Sequence, residues 1–175
     1  MHNQKNVIFK SKKIGKNKFN LSNVFFEPLL ANNKIFFSDY SGNIYSYSAN
    51  DKNLLWKFNF YKKRYKNYPI KKKLNLLKNN LIVSDNLGYL YALDYINDKI
   101  IWAKNFKIPF RSNLKIINNK IFLADQNNTI YVIDKLNGEK IKSFPTEEVV
   151  LKNNFINSIS SNLKSIFYLN TYGSL

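Results

Sequence analysis

Carboxylates are the side chains best placed to do chemistry in this 175-residue chain, which has no cysteine and a single histidine. Asp39, Asp85 and Asp125 each close a short apolar run, and each stands three residues ahead of Gly42, Gly88 or Asn128. Drawn together, they could form a ring that holds a cation or moves protons. The local pattern favours a different use, because an Asp that opens a D-x-x-G turn accepts hydrogen bonds from the turn's own amides. The spacing also lacks the dense oxygen ligands of a calcium loop. Glu147 and Glu148 are the one adjacent acidic pair. Hydrolysis by two carboxylates needs groups converging across a pocket, which neighbours on a strand or loop do not supply. His2 sits at a terminus, where chains fray, and no ligand or catalytic role is expected of it. Without Cys there is no thiolate nucleophile, disulfide or iron–sulfur site. No Gly-rich phosphate loop, Ser-His-Asp set or metal cluster is written either. The expectation is a non-enzymatic chain with no catalytic residue, no metal and no cofactor.

Charge is the other candidate signal. The formal net charge is +17, which invites a nucleic-acid or anionic-membrane partner. Of the 28 basic residues only Arg64 and Arg111 are arginine, whereas a phosphate reader leans on the bidentate arginine fork. The chain is also crowded with Lys, Asn, Ile, Phe and Tyr, whose codons are rich in A and T. Scattered lysines then read as compositional bias on a solvated surface, with at most weak, salt-sensitive attachment to nucleic acid and no specific nucleic-acid partner. No apolar run approaches the roughly 20 residues that span a bilayer. The stretch MHNQKNVIFKSKKIGKNKFN lacks the apolar core of a secretory signal.

The elements that must position these residues repeat. Aligned on the aspartate, the chain reads NKIFFSDYSGNIYSYS from Asn33, NNLIVSDNLGYLYALD from Asn79, NKIFLADQNNTIYVID from Asn119 and KSIFYLNTYGSL from Lys164. The anchors Asp39, Asp85, Asp125 and Asn170 are spaced by 46, 40 and 45 residues. Each unit adds a third strand, around Trp56, Trp102 or Lys142, and a short apolar segment ahead of the anchor strand, FFEPLL, LNLL, LKII or FINSI. Four short strands per unit at this period is the sequence form of a β-propeller blade. Tyr45, Tyr91 and Tyr131 alternate with other apolar residues, so both faces of the middle strands are apolar, as stacked blades require. The expected fold is all-β, an incomplete propeller with blades near 25–72, 73–113, 114–154 and 155–175, after an N-terminal segment 1–24 with a possible lone strand. The charged stretch YKKRYKNYPIKKK, residues 61–73, accounts for the longest spacing and is expected as an exposed loop between blades.

The second unit resembles a known family at this point. ALDYINDKIIW matches the tryptophan-docking motif of PQQ-like propeller repeats, A-x-D-x-x-x-G-K-x-x-W, at Ala92, Asp94, Lys99 and Trp102, with Asp98 in place of the glycine. The first unit keeps Trp56 but has Ser46 and Ser48, and the third keeps Asp134 and Gly138 but has Val132 and Lys142. The resemblance implies that Ala92, Asp94, Trp56 and Trp102 lock blades together and that the tryptophans do not stack on a ligand.

Two branches share the repeat. One is the quinoprotein dehydrogenases, which hold a quinone and calcium and would need paired cysteines absent here. The other is the lipoprotein scaffold of outer-membrane β-barrel assembly, which the loop KIPFRSN after a docking tryptophan resembles more. That branch implies a periplasmic, outer-membrane-associated scaffold for protein partners, with Ile108, Phe110 and Arg111 facing the partner; the residues themselves equally allow Ile108 and Phe110 to tuck into the blade junction while Arg111 caps it. A dehydrogenase fragment and a basic, nucleic-acid-binding propeller are the alternatives.

Overall fold

The computed structural model describes residues 27–62, 64–146, 157–162 and 164–172. Among the described residues, fourteen strands form four separate antiparallel sheets in sequence order. Blade 1 is β1 (Leu29–Ala31), β2 (Lys34–Ser38), β3 (Asn43–Ser48) and β4 (Leu54–Asn59). Blade 2 is β5 (Lys72–Leu77), β6 (Asn80–Asp85), β7 (Tyr89–Asp94) and β8 (Lys99–Asn105). Blade 3 is β9 (Lys115–Ile117), β10 (Lys120–Ala124), β11 (Thr129–Asp134) and β12 (Lys140–Pro145), and β13 (Ser158–Ser161) with β14 (Ile166–Leu169) makes a two-stranded fourth sheet. Among the described residues there is no helix, and so none long and apolar enough to cross a membrane. The N-terminal segment, His2, Glu147 and Glu148 lie outside the described residues.

Local chemistry sets the turns. Asn32–Asn33 and Asn118–Asn119 all take positive φ, between 45° and 67°, the mirror-image geometry that a two-residue hairpin needs and that Asn tolerates. After each anchor the chain needs positive φ again, met by Gly42 (89°), Gly88 (85°) and Asn128 (60°). The third and fourth strands of each full blade slip register at one repeated place, between Ser46 and Tyr47, Ala92 and Leu93, and Val132 and Ile133. Such a bulge bends the outer strand where the tryptophan, if present, leaves the sheet.

Blade 2 shows why both faces of the middle strands are apolar. Ile82, Leu90 and Ala92 point to one side and pack with Leu114, Ile121, Leu123 and Ile133 of the blade 3 side. Leu81, Val83, Tyr91 and Leu93 point to the other and meet Phe36 and Ile44 of blade 1. Period-2 alternation thus feeds two cores from one sheet, each fully buried Leu or Ile contributing about 1.5–3 kcal/mol. The outer strands, by contrast, leave Leu54, Leu55, Ile101 and Ile141 between 44% and 52% exposed.

Candidate functional site

Every full blade turns its anchor hairpin, and blades 1 and 2 the link to the following blade, toward one end of the propeller, the link end, and its other two hairpins toward the opposite end. Along the link end the carboxylates do what the turn pattern predicts. Asp39 accepts from the Asn43 amide (2.9 Å), Asn43 Nδ2 (2.7 Å) and the Tyr45 hydroxyl (2.8 Å). Asp125 accepts from the amides of Asn127 (2.8 Å) and Thr129 (3.0 Å) and from the Tyr131 hydroxyl (2.9 Å). Burial, followed by the bond to the anionic acceptor, pushes Tyr45 and Tyr131 well above the ordinary tyrosine range. The three anchors therefore do not converge. Among the described residues no group of three His, Cys, Asp or Glu side chains is placed to hold a metal ion, so the carboxylate cluster of a calcium site is not formed by them.

Blade 2 departs from its neighbours. Asp85 accepts from the amides of Leu87 (2.7 Å) and Tyr89 (3.0 Å), but its hydroxyl donor is Tyr61 from the preceding link. Tyr91, the counterpart of Tyr45 and Tyr131, is left fully buried with no partner for its hydroxyl. Burial pushes the Asp85 carboxyl up to about 7, against the pull of its amide donors. Opposite Asp85 across the sheet stands Lys72, 8% exposed, whose Nζ finds no hydrogen-bond partner and lies 5.4 Å from the Tyr61 ring centroid. Desolvation pushes this amine down to about 7, partly offset by the charge of Asp39. The expectation of an exposed loop over 61–73 therefore needs correction. Its middle is exposed, but Tyr61, Ile70 and Lys72 are buried under blades 1 and 2. Tyr61 and Ile70 lie so close to Gly42 that a Cβ there would stand 2.9 Å from the Tyr61 ring and 3.1 Å from Ile70 Cδ1. The sequence trace of this cluster is the repeat position 13 residues ahead of the anchor, which holds Lys72 here and the buried polar residues Ser112 and Asn157 in the next two units.

The motif residues have distinct placements. Trp102 is 8% exposed, pairs with the fully buried Ala92, and donates its indole N–H to the Lys135 carbonyl of blade 3 (3.0 Å). Its ring lies over Gly138, where a Cβ would come within 2.4 Å of it. Asp94 receives the amides of Ile96 (2.9 Å) and Asn97 (3.1 Å), which with the Asn97 side chain hold its carboxyl below the usual range. Trp56 is half-buried near Phe36, and its indole N–H is buried without a partner. Asp98, at φ 53°, stands in blade 2 at the turn position that Gly138 holds in blade 3.

In the loop KIPFRSN, Phe110 is 5% exposed and packs among Phe106, Tyr131 and Leu114. Its amide donates to the Asp85 carbonyl (3.1 Å) and it bridges to Asp125, so the ring belongs to the junction of blades 2 and 3 and has no face to offer a partner. For Phe110 the structure therefore takes the second of the two readings open to the loop, a ring tucked into the blade junction, and not the one that faces it to a partner. Ile108 and Arg111 stay half-buried at the surface. The Ile108 backbone rides over Gly88, where any Cβ would be 2.8 Å from its carbonyl, and the Arg111 amide donates to Ala124 O (3.1 Å).

The family model described as outer membrane protein assembly factor BamB matches residues 41–171, most of the chain. The chain belongs to the BamB-like family of PQQ-type propellers. No curated protein matches the sequence. BamB from Moraxella catarrhalis superposes with a TM-score of 0.62 at 13% identity, over 80% of this chain and 41% of that one. The computationally designed Ika4 protein gives 0.69 at 11% identity, covering 92% and 96%. A quinohemoprotein alcohol dehydrogenase from Comamonas testosteroni gives 0.58 at 16% identity, covering 67% and 20%. At these identities the likeness is one of fold. The chain spans about two fifths of the BamB structure, and the BamB-like repeat is what its three full blades and two-stranded fourth sheet embody.

Proposed function

We propose that the chain is a non-enzymatic propeller scaffold that holds protein partners during assembly of outer-membrane β-barrel proteins, on the periplasmic side of that membrane. The match to the BamB family over residues 41–171 carries this reading. Each described anchor carboxylate accepts hydrogen bonds from the amides of its own turn, which supports a structural use for these residues. Partner contact centres on Ile108 and Arg111, presented on a link whose backbone is fixed by Gly88 below and Asp85 and Ala124 beside it. A fixed backbone loses little entropy on binding, and arginine is a frequent hot-spot residue.

The test is capture of barrel-assembly proteins from cross-linked cell envelopes by the tagged chain, with bound proteins identified by mass spectrometry. Arg111→Glu is expected to abolish the capture while leaving the thermal midpoint nearly unmoved. Undiminished capture would remove Arg111 from the interface. A stoichiometric, activating complex with pyrroloquinoline quinone and calcium would replace the scaffold reading by the dehydrogenase one.

A further inference from the structure

We propose that the link between blades 1 and 2, in its described residues 60–62 and 64–71, is a preformed docking site for an acidic, extended stretch of a protein partner. This deepens the scaffold reading and rests on it, but concerns a different link from the one carrying Arg111.

The first observation is how the carboxylates are sorted. Asp51, Asp94, Asp98, Asp134 and Glu139 all belong to the hairpins at the end opposite the links, where Lys52, Lys99, Lys135 and Lys140 interleave with them. At the link end, Asp39, Asp85 and Asp125 are buried in their turns, and Glu27, ahead of β1, is the one exposed carboxylate among the described residues. Residues 60–71 contain no acid, and Lys62, Arg64, Lys66 and Lys71 are exposed along them. Among the described residues the exposed acids are thus concentrated at the opposite end, whereas Glu147 and Glu148 belong by sequence to the third link, away from residues 60–71. The result is a local positive field on a neutralised background, which attracts and orients an anionic partner.

The second observation is that the link is held in one shape. Ile70 donates its amide to Tyr40 O (2.9 Å), and Asn86 and Lys71 exchange two bonds, Asn86 N to Lys71 O (3.1 Å) and Lys71 N to Asn86 Oδ1 (2.8 Å). Asn86 Nδ2 adds a bond to Pro69 O (3.0 Å). Within the link, Arg64 N reaches Tyr61 O (3.0 Å) and Tyr68 N reaches Tyr65 O (3.2 Å), while the Arg64 guanidinium lies 5.6 Å over the Tyr65 ring. Charges fixed in advance cost less ordering on binding.

Three kinds of polyanion would feel this field, and the link's chemistry chooses among them. Single-stranded nucleic acid needs free aromatic faces. Tyr61 is buried and Tyr65 is covered by Arg64, which leaves Tyr68, 63% exposed, as the one open ring. Duplex reading needs arginine forks, and the link has a single arginine. A membrane surface needs an apolar wedge beside the charge, whereas Leu54, Leu55, Ile101 and Ile141 emerge on the outer strands. Lysine point charges flanking one exposed tyrosine suit carboxylates spread along an extended chain.

The probe is a fluorescein-labelled oligo-glutamate peptide, titrated against the full chain by anisotropy at low and physiological salt. Lys62→Glu/Arg64→Glu/Lys71→Glu is expected to weaken binding by at least about tenfold, and the opposite-end reversal Lys99→Glu/Lys135→Glu/Lys140→Glu by less than about twofold. The neutral set Lys62→Gln/Arg64→Gln/Lys71→Gln should fall between, and it decides the matter if the reversed set does not fold. Equal losses from both ends would overturn the proposal, leaving bulk charge as the cause. So would tighter, link-dependent binding of labelled oligo-dT or of phosphatidylglycerol vesicles than of the peptide. If Arg111→Glu abolishes envelope capture and the link variants leave both capture and peptide binding intact, the scaffold reading stands and this inference falls. If the link variants alone lose both, the inference stands and Arg111 is not the contact.

Discussion

Replacing Lys72 by Met is expected to stabilise the protein at pH 7 by about 2–3 kcal/mol, an unusual outcome for a buried position. The ammonium is 8% exposed and Nζ has no hydrogen-bond partner; the groups around it are the Tyr61 ring, Asp39 of blade 1 and Asp85 across the sheet. Its pKa falls from 10.5 to about 7 on folding, so between those values the unfolded chain holds the proton more often than the folded one. Stability therefore rises with pH across that window, is fully present above 10.5, and is lost as pH falls to about 7. A shift of this size corresponds to roughly 4–5 kcal/mol. Methionine has nearly the same volume and removes that cost, but forfeits the cation–π attraction over Tyr61, about 1–2 kcal/mol. Urea unfolding followed by Trp56 and Trp102 fluorescence would measure it. Near pH 7 the variant should be the more stable, and the difference should shrink toward zero by pH 10.5. A variant less stable than the parent at both pH values, with no change in the difference, would mean that the amine is solvated or paired, and the argument would fail.

Asp85 shapes the acid side. Its folded pKa is raised from 3.8 to about 7, so stability from this group is present below 3.8 and lost as pH climbs to 7, and Asp85→Asn should flatten that slope. The two equivalent tyrosines should respond oppositely to loss of the hydroxyl. Tyr131→Phe gives up a bond to a carboxylate and should cost about 1.5–3 kcal/mol, whereas Tyr91→Phe removes an unpaired buried hydroxyl and should be neutral or stabilising by about 1 kcal/mol. Trp102→Ala should cost about 3–5 kcal/mol by chemical denaturation, and Gly138→Ala about 1–3 kcal/mol through the clash with the same ring, with the double variant losing less than the sum.

What the sequence by itself determined was everything that depends on residues a few positions apart. The period of the anchors, the alternation that feeds two cores from one sheet, and the Asp-led turns all follow from local chemistry, since the Asp125 carboxylate meets the amides of Asn127 and Thr129 in any fold that keeps the hairpin. The pairing of Lys34–Ser38 with Ile44–Ser48 is likewise set by a short turn. The tertiary structure decided what blades do to one another. Whether Tyr61 or Tyr91 reaches Asp85 depends on how the first link lies over the second blade, and the two tyrosines are indistinguishable by type. Lys72 reads as a surface lysine because it follows a charged stretch, and Phe110 reads equally as a partner contact or a junction residue; both are buried because links must cross the blade junction to start the next inner strand. Trp56 and Trp102 carry the same signal in sequence, yet one is a half-buried ring with an unpartnered indole N–H and the other is docked over Gly138 with its indole bonded to Lys135 O. Packing between sheets works at distances of a single methyl group, and that scale is not encoded in the repeat pattern.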